Sequence, residues 1–287
     1  MHVILTGATG LVGGGVLDAM LAMPDITRIS ILTRRPVPQL EARIKANDAL
    51  ASNKDRVRVI THKDFSKYDD DLLKGPLKGA AGVVWALGIS QVSVSKEEYV
   101  VITHDYTLAA AEAFQRIPAG DGPGDAKAGE PFRFVYVSGL GAETKPGITT
   151  ARFGKVKGET ELALAEMTNG KAGEASTSPS GRPFLGLSVR PAGVDPHGHD
   201  ALQAFVPPAP SFALDLTRKF LAPVLRVVYP SMISPTLPLG QFLAGTAMGK
   251  YSTVQLAEEA VKHKDIETVG SRFQIVNNTA LRRLMGL

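Results

Sequence analysis

Residues 2–16 read HVILTGATGLVGGGV, and no other stretch limits the fold of this chain so narrowly. Val3, Ile4 and Leu5 form a short aliphatic run, the glycines Gly7, Gly10 and Gly13 follow at three-residue spacing, and a helical apolar pattern begins at once. Strand, glycine turn and helix together make a phosphate-binding arrangement. Gly7 lets the chain turn sharply off the strand. Gly10 removes a side chain where backbone must approach a pyrophosphate, and Gly13 lets the new helix pack close to the strand. The helix then offers unpaired N–H groups and the positive end of its dipole to the anion. Thr9, Leu11 and Val12 lie among these glycines and belong to the same candidate site. Glycines at this spacing also serve ordinary turns, but the strand before and the helix after favour a dinucleotide site.

The rest of the chain repeats the alternation. Strand-like runs fall at 29–33, 57–60, 82–87, 134–138 and 184–189, with helical patterns at 106–114 and 156–167. Short apolar strands alternating with helices predict an α/β fold with a Rossmann-type, doubly wound parallel sheet. The single Trp85 sits in a strand run and reads as core. Residues 118–131 and 169–183, rich in Gly, Pro, Ser and Lys, read as flexible insertions. Residues 1–287 are expected to form one nucleotide-binding domain, with 190–287 mainly a region covering the substrate side. The proline-rich apolar stretch 201–249 is the core of that expectation. A dimer surface and a helix lying on a membrane are its rivals.

Composition narrows the chemistry. The chain has 287 residues and no cysteine, which excludes thiolate nucleophiles, disulfides and Cys-based metal sites. No apolar run of about 18 residues suggests an integral span, and no cleavable signal or transit segment is expected. The net charge of +4 is spread along the chain without a nucleic-acid motif. The expected location is cytoplasmic, with peripheral attachment to the mitochondrial outer membrane as the alternative. A homodimer is compatible with these features.

The end of the second strand decides between the two nicotinamide nucleotides. An acidic residue there binds a ribose hydroxyl, while arginine accommodates a 2′-phosphate. Here Thr33 is followed by Arg34 and Arg35, with no acid before Glu41, so NADP(H) is the expected cofactor. Asp64 and Phe65, after the third strand, are placed to meet the adenine, or to make a turn. Leu87 and Gly88 follow the fourth strand and complete the cofactor list with Lys157 and Pro191.

These features resemble the short-chain dehydrogenase/reductase superfamily in its extended or atypical branch. The motifs are TGATGLVG, the strand ending Ala86-Leu87-Gly88, the strand end Val137-Ser138 and the sequence Arg190-Pro191-Ala192-Gly193. Within that branch the chain is similar to the Tat-interacting protein 2 type and its fungal mitochondrial relatives. The likeness rests on the TRR after the second strand, Asp105-Tyr106 and the sequence Val156-Lys157-Gly158-Glu159. The resemblance implies a Tyr-x-x-x-Lys pair on one helix face, with a serine nearby. The lysine holds the nicotinamide ribose, the tyrosine exchanges a proton with substrate, and the serine polarises the substrate oxygen.

Lys157 and Ser138 match that pattern, but the tyrosine position holds Phe153. A phenyl ring has no proton to give. Three explanations follow. Another group, such as Ser138, Thr149, Thr150 or a histidine, supplies the proton. Alternatively, the protein binds NADPH as a sensor, or the fold performs a non-redox isomerisation or cyclisation. The expected substrate is a small, apolar carbonyl or enone compound.

Other candidates carry less. Residues 195–200 read DPHGHD, which as a loop lacks a telling third metal ligand, so no metal is expected. His197 or His199 could replace the missing acid, and His104 has a similar outside claim. Tyr99, Tyr106 and Tyr136 are weaker substitutes for the lost phenol.

Overall fold

The computed structural model of the chain describes residues 1–46, 48–53, 55–170, 179–209, 211–251 and 253–287, with the side chains of 50, 213, 214, 218, 253 and 254 outside the description. Its strands, in chain order, are β1 (His2–Thr6), β2 (Arg28–Thr33), β3 (Val57–Thr61), β4 (Gly82–Trp85), β5 (Phe132–Val137), β6 (Phe184–Arg190), β7 (Gly193–Asp195), β8 (Ile233–Pro235), β9 (Ile266–Val269) and β10 (Phe273–Asn277). Eight of them form one sheet in the order β3-β2-β1-β4-β5-β6-β10-β9, while β7 and β8 pair apart from it. Every neighbouring pair in the large sheet is parallel except β9 with β10. The winding direction reverses between β1 and β4, where such sheets open a crevice beyond the strand ends. This is the Rossmann-type α/β fold that the sequence predicts.

Burial on both faces explains the continuous apolar strands. Along β1, Val3 and Leu5 join one core and Ile4 the other; along β5, Val135 faces the first core while Phe134 and Tyr136 face the second. The second core is aromatic. Trp85 packs against Phe65 and Phe134 at centroid distances of 5.9 and 5.7 Å, and its indole N–H donates to Thr107 Oγ1 at 2.8 Å. On the opposite face the helices Leu11–Ala22 and Thr236–Met248 cross closely. A Cβ on Gly240 would sit 2.4 Å from the Gly15 carbonyl oxygen, so small residues are required at this crossing.

Two expectations need correction. The 190–287 region is not mainly a cover. Helix Thr236–Met248 fills the first core, and β10 and β9 extend the main sheet. Within 190–287, the described residues of roughly 195–235 lie outside the main sheet and its two cores. The prolines of this stretch concealed the later helix, which buries ten of its thirteen residues and so shows little polar–apolar alternation.

The 118–131 segment is also not a loose insertion. Asp125 pairs with Arg28 at 2.5 Å, Ala126 N–H donates to Gly79, and His2 N–H donates to Gly124. A Gly- and Pro-rich composition here supplies backbone contacts beneath the sheet rather than freedom. Of the 169–183 insertion, 171–178 lie outside the described residues. Its far end is fixed by the buried Arg182, which donates to the carbonyls of Ala80 and Glu130 at 2.9 and 3.0 Å.

Candidate active site

The glycine turn joins β1 to the first helix. Gly7 has φ +71°, a left-handed conformation that suits glycine. A Cβ on Gly13 would lie 2.0 Å from the Gly7 carbonyl oxygen, so the helix can seat only without one. The helix begins at Leu11 with Gly10 as its cap and no side chain capping its amides. Its first N–H groups thus remain for an anion.

The space in front of this turn is a cleft of about 550 Å³ at the ends of β1, β2 and β4. Gly7, Thr9, Gly10, Arg34, Arg35, Phe65, Leu87 and Gly88 all line it. Arg35 is held over the turn by donating from Nε and Nη2 to Thr9 Oγ1 at 3.3 and 3.2 Å, while Arg34 is exposed. Thr33 Oγ1 donates to the Arg35 carbonyl at 2.7 Å and sets the bend that presents both guanidiniums. Pro207 of the cover closes the outer side.

A dinucleotide fits what is here. A Cβ placed on Gly88 meets nothing within 4 Å, and one on Gly10 meets only the Gly7 carbonyl oxygen at 3.3 Å, so the cradle is open where phosphates would lie. Asp64 stands apart from the residues lining this cleft. It accepts from Ser66 N–H and Oγ at 3.0 and 2.6 Å, and those bonds hold its carboxyl below the usual range. It therefore makes the turn that the sequence offered as an alternative. Val12 packs against the first core, and Leu11 lines a second cleft of about 590 Å³ that runs under the cover with Gly193, His197 and Arg226.

Ser138, Phe153, Lys157 and Pro191 meet at the ends of β5 and β6. Lys157 lies on helix Arg152–Asn169 and donates from Nζ to the Ser138 and Val137 carbonyls at 2.8 and 3.3 Å. Leu140 N–H donates to the Pro191 carbonyl at 2.8 Å, tying the two strand ends together. The Phe153 ring stands against Gly141, its Cζ 3.1 Å from where a Cβ on that glycine would be. The Ser138 hydroxyl is buried and has no protein partner.

Desolvation pushes the Lys157 ammonium down to about 8, against the opposing pull of Glu161. Its Nζ also stands 5.6 Å from the centroid of the Tyr136 ring. The Tyr136 phenol is fully buried and displaced upward by that burial, so it stays protonated.

Glu161 belongs to no motif of the sequence, yet it is central here. Its buried carboxylate accepts from Ser188 Oγ at 2.7 Å and from Arg190 Nε and Nη2 at 3.0 and 2.5 Å. Burial opposes the Arg190 charge, but Glu161 outweighs it and raises the guanidinium. The i, i+4 spacing of Lys157 and Glu161 is the one signal of it that the sequence holds.

The histidines divide. His199 is buried, with Nδ1 on Thr236 Oγ1 at 2.8 Å and Nε2 on Asp18 at 3.0 Å, so both nitrogens are engaged by protein groups. It is a structural residue rather than a substitute acid. His104 bonds to the neighbouring Asp105, and His197 faces the second cleft.

No family model matches the chain. It is 31% identical over 279 residues to the leucinostatins biosynthesis cluster protein T of Purpureocillium lilacinum, covering 95% of this chain and 94% of that one. The botcinic acid biosynthesis cluster B protein 16 of Botryotinia fuckeliana is 36% identical over 180 residues, 63% of this chain and 98% of that one. Protein fmp52, mitochondrial, of Emericella nidulans is 28% identical over 162 residues, 56% of this chain and 58% of that one.

Among solved structures, a short-chain dehydrogenase/reductase family oxidoreductase of Burkholderia thailandensis matches with a TM-score of 0.57 at 14% identity, over 99% of this chain and 95% of that one. MoeE5, solved with UDP-glucose and NAD, matches with a TM-score of 0.55 at 13% identity, over 100% and 93%. With its glycine turn, its lysine helix and its full-length relative, the chain belongs to one family with the leucinostatins biosynthesis cluster protein T and shares the fold of the solved short-chain dehydrogenase/reductase.

Proposed function

We propose that the chain binds NADP(H) and reduces a small apolar carbonyl or enone compound, using Ser138 and Lys157 in place of the missing tyrosine. The observation that carries this reading is the cleft in which the glycine turn, Arg34 and Arg35 converge. The amides at the start of the first helix would hold the pyrophosphate. The two guanidiniums would hold the 2′-phosphate through forked, charged hydrogen bonds.

When bound, the nucleotide supplies the hydride. The residues of the chain supply the proton. Lys157 Nζ, lowered to about 8, carries a proton at neutral pH and gives it up more readily than a solvated lysine. Ser138 Oγ has no protein partner, and on this reading it would donate to the substrate oxygen once uncovered and be reprotonated from Lys157. The fixed Lys157 bonds to two carbonyls orient that ammonium at the strand end. The apolar walls of the second cleft, among them Val194, Val206 and Ile233, suit an uncharged substrate. The relatives' names set them in biosynthesis clusters, which supports a natural-product intermediate as the substrate class.

Titration of NADPH fluorescence tests the binding reading. The native chain should bind NADPH more tightly than NADH. The double variant Arg34→Ala, Arg35→Ala should weaken NADPH by roughly 10–100-fold with little change for NADH, the scale expected for losing charged hydrogen bonds. Absence of binding by either nucleotide overturns the proposal. Binding without consumption of NADPH across a panel of apolar ketones and enones replaces the reductase with the sensor reading that Phe153 also allows.

A further inference from the structure

A third cleft, of about 490 Å³, opens beside the glycine turn, between the helix Leu11–Ala22, the segment 35–39 and the cover. Its walls are apolar, with Val37 and Pro38 from the segment and Leu202, Phe205 and Pro208 from the cover. Arg35 and Pro207 line both this cleft and the nucleotide cleft. Ser138, Phe153 and Lys157 do not line it. An occupant here is therefore a second ligand rather than the group that reacts.

One polar side chain of this lining is buried and has no partner. Gln39 is 3% exposed, and neither its Nε2 nor its Oε1 finds a hydrogen bond among the described residues. Pro38 opens the helix Pro38–Lys45 after an extended Val37, and this start turns Gln39 and Leu40 inward. Leu40 joins the first core, while Gln39 reaches the first helix, where a Cβ on Gly14 would stand 3.2 Å from its Oε1. The backbone offers no donor there, because Gly14 N–H already donates to the Gly10 carbonyl. A leucine or methionine would fill the same volume without leaving two polar groups unpaired. The amide is costly to keep at this position unless a ligand pairs with it.

The chemistry of the amide selects that ligand. Its NH2 donates and its carbonyl oxygen accepts, side by side in one plane. A ketone or an ether would satisfy only the donor, whereas the edge of another amide satisfies both at once. Gln39 is buried while Arg35 is exposed, so a charged group seated on the amide would be desolvated without a counterion. Leu202 Cδ1 converges on the same point above Gly14 at 2.7 Å, so an occupant reaches the amide once that flexible tip rotates aside.

We propose that this cleft binds an uncharged, apolar molecule carrying an amide or lactam, whose N–H donates to Gln39 Oε1 and whose C=O accepts from Gln39 Nε2.

Calorimetric titration of the full chain without nucleotide tests this, and its outcome does not depend on whether NADP(H) binds. The ligands are 2-quinolone, an apolar bicycle with a lactam edge, and 1-methyl-2-quinolone, which keeps the carbonyl and loses the donor. The native chain should bind 2-quinolone at one site with a Kd of about 1 mM or below. It should bind the methylated form about tenfold more weakly, because Gln39 Oε1 is then left unpaired. Gln39→Leu should lose about tenfold in affinity for 2-quinolone and should treat the two ligands alike. It should melt at the native temperature or above, since it removes two unpaired buried groups at similar volume. Failure of the native chain to bind 2-quinolone overturns the proposal. So does equal affinity of the native chain for the two ligands, a comparison that needs no variant. Native affinity for 2-quinolone in Gln39→Leu overturns it as well, by seating that molecule elsewhere.

Discussion

Under the proposed function the proton that a tyrosine would give falls to Lys157, and Phe153 and Lys157 predict opposite pH behaviour. Lys157 has its ammonium lowered from the usual lysine range to about 8. The donor form is therefore present below pH 8 and lost as pH rises through it. NADPH consumption by the native chain should fall about tenfold for each pH unit above 8, measured as kcat at saturating substrate. Phe153→Tyr adds a phenol beside Gly141 and should flatten that fall, with more than tenfold higher kcat at pH 9. A native profile that stays flat through pH 8 would remove Lys157 from the proton path.

A second residue sets the acid limit of the fold. His2 is buried, accepts from Arg28 Nη2 on Nδ1 at 2.8 Å, and thereby donates from Nε2 to Ser30 Oγ at 2.8 Å. Desolvation, with Arg28 adding to it, pushes the imidazole down to about 3. The unfolded chain takes up this proton near pH 6.5, so between about 6.5 and 3 the unfolded state binds more protons and stability falls as pH drops. The loss accumulates at about 1.4 kcal/mol for each pH unit crossed in that window and reaches a few kcal/mol. Urea titrations at pH 7 and pH 4 should show that decline, and His2→Gln should shrink it.

Among the elements, the glycine turn separates folding from binding. Gly13→Ala would drive a methyl into the Gly7 carbonyl at 2.0 Å, and neither backbone can yield without moving the helix off β1. It should cost about 1–3 kcal/mol and abolish nucleotide binding. Gly10→Ala meets one atom at 3.3 Å and should fold normally, yet its methyl occupies the phosphate cradle. Chemical denaturation paired with NADPH titration distinguishes them; equal stability loss in both variants would contradict this account.

This turn is legible in the sequence because its geometry is local, as are six of the seven parallel strands, β1 to β6, with their mostly apolar runs. The elements that escape the sequence are those whose pattern is masked by context. Helix Thr236–Met248 buries most of its residues and so lacks a clear polar stripe, and β9 is only four residues long. The cofactor side of the site is legible for the same local reason. The Glu161–Ser188–Arg190 network is not, since it joins a helix to a strand 27 and 29 residues away and no periodicity records that.

For the molecule as a whole, the question is how the cover stays attached to the sheet half. Its anchor is polar. His199 joins Thr236 to Asp18, and the other oxygen of Asp18 takes a hydrogen bond from Arg43. Asp18 and His199 are 181 residues apart in sequence. Ser234 Oγ further donates to Asn278 Oδ1 at 2.5 Å. His199→Ala removes the middle of the first chain, leaves Thr236 Oγ1 without its partner and opens a void against the first helix. The cost should be about 2–4 kcal/mol.

Because the strands bury their side chains in two apolar cores that do not include His199, that cost should fall on the cover first. Hydrogen exchange should then quicken at residues 196–208 by roughly 10–100-fold while the amides of β1, β4 and β5 keep native protection. Saturating NADPH should slow that exchange again, since Pro207 closes the cleft in which the nucleotide is proposed to lie. A uniform rise in exchange across the sheet and the cover would show instead that the two halves open as one cooperative unit. The buried His199 bridge would then be part of the global fold rather than the fastening of a separable lid.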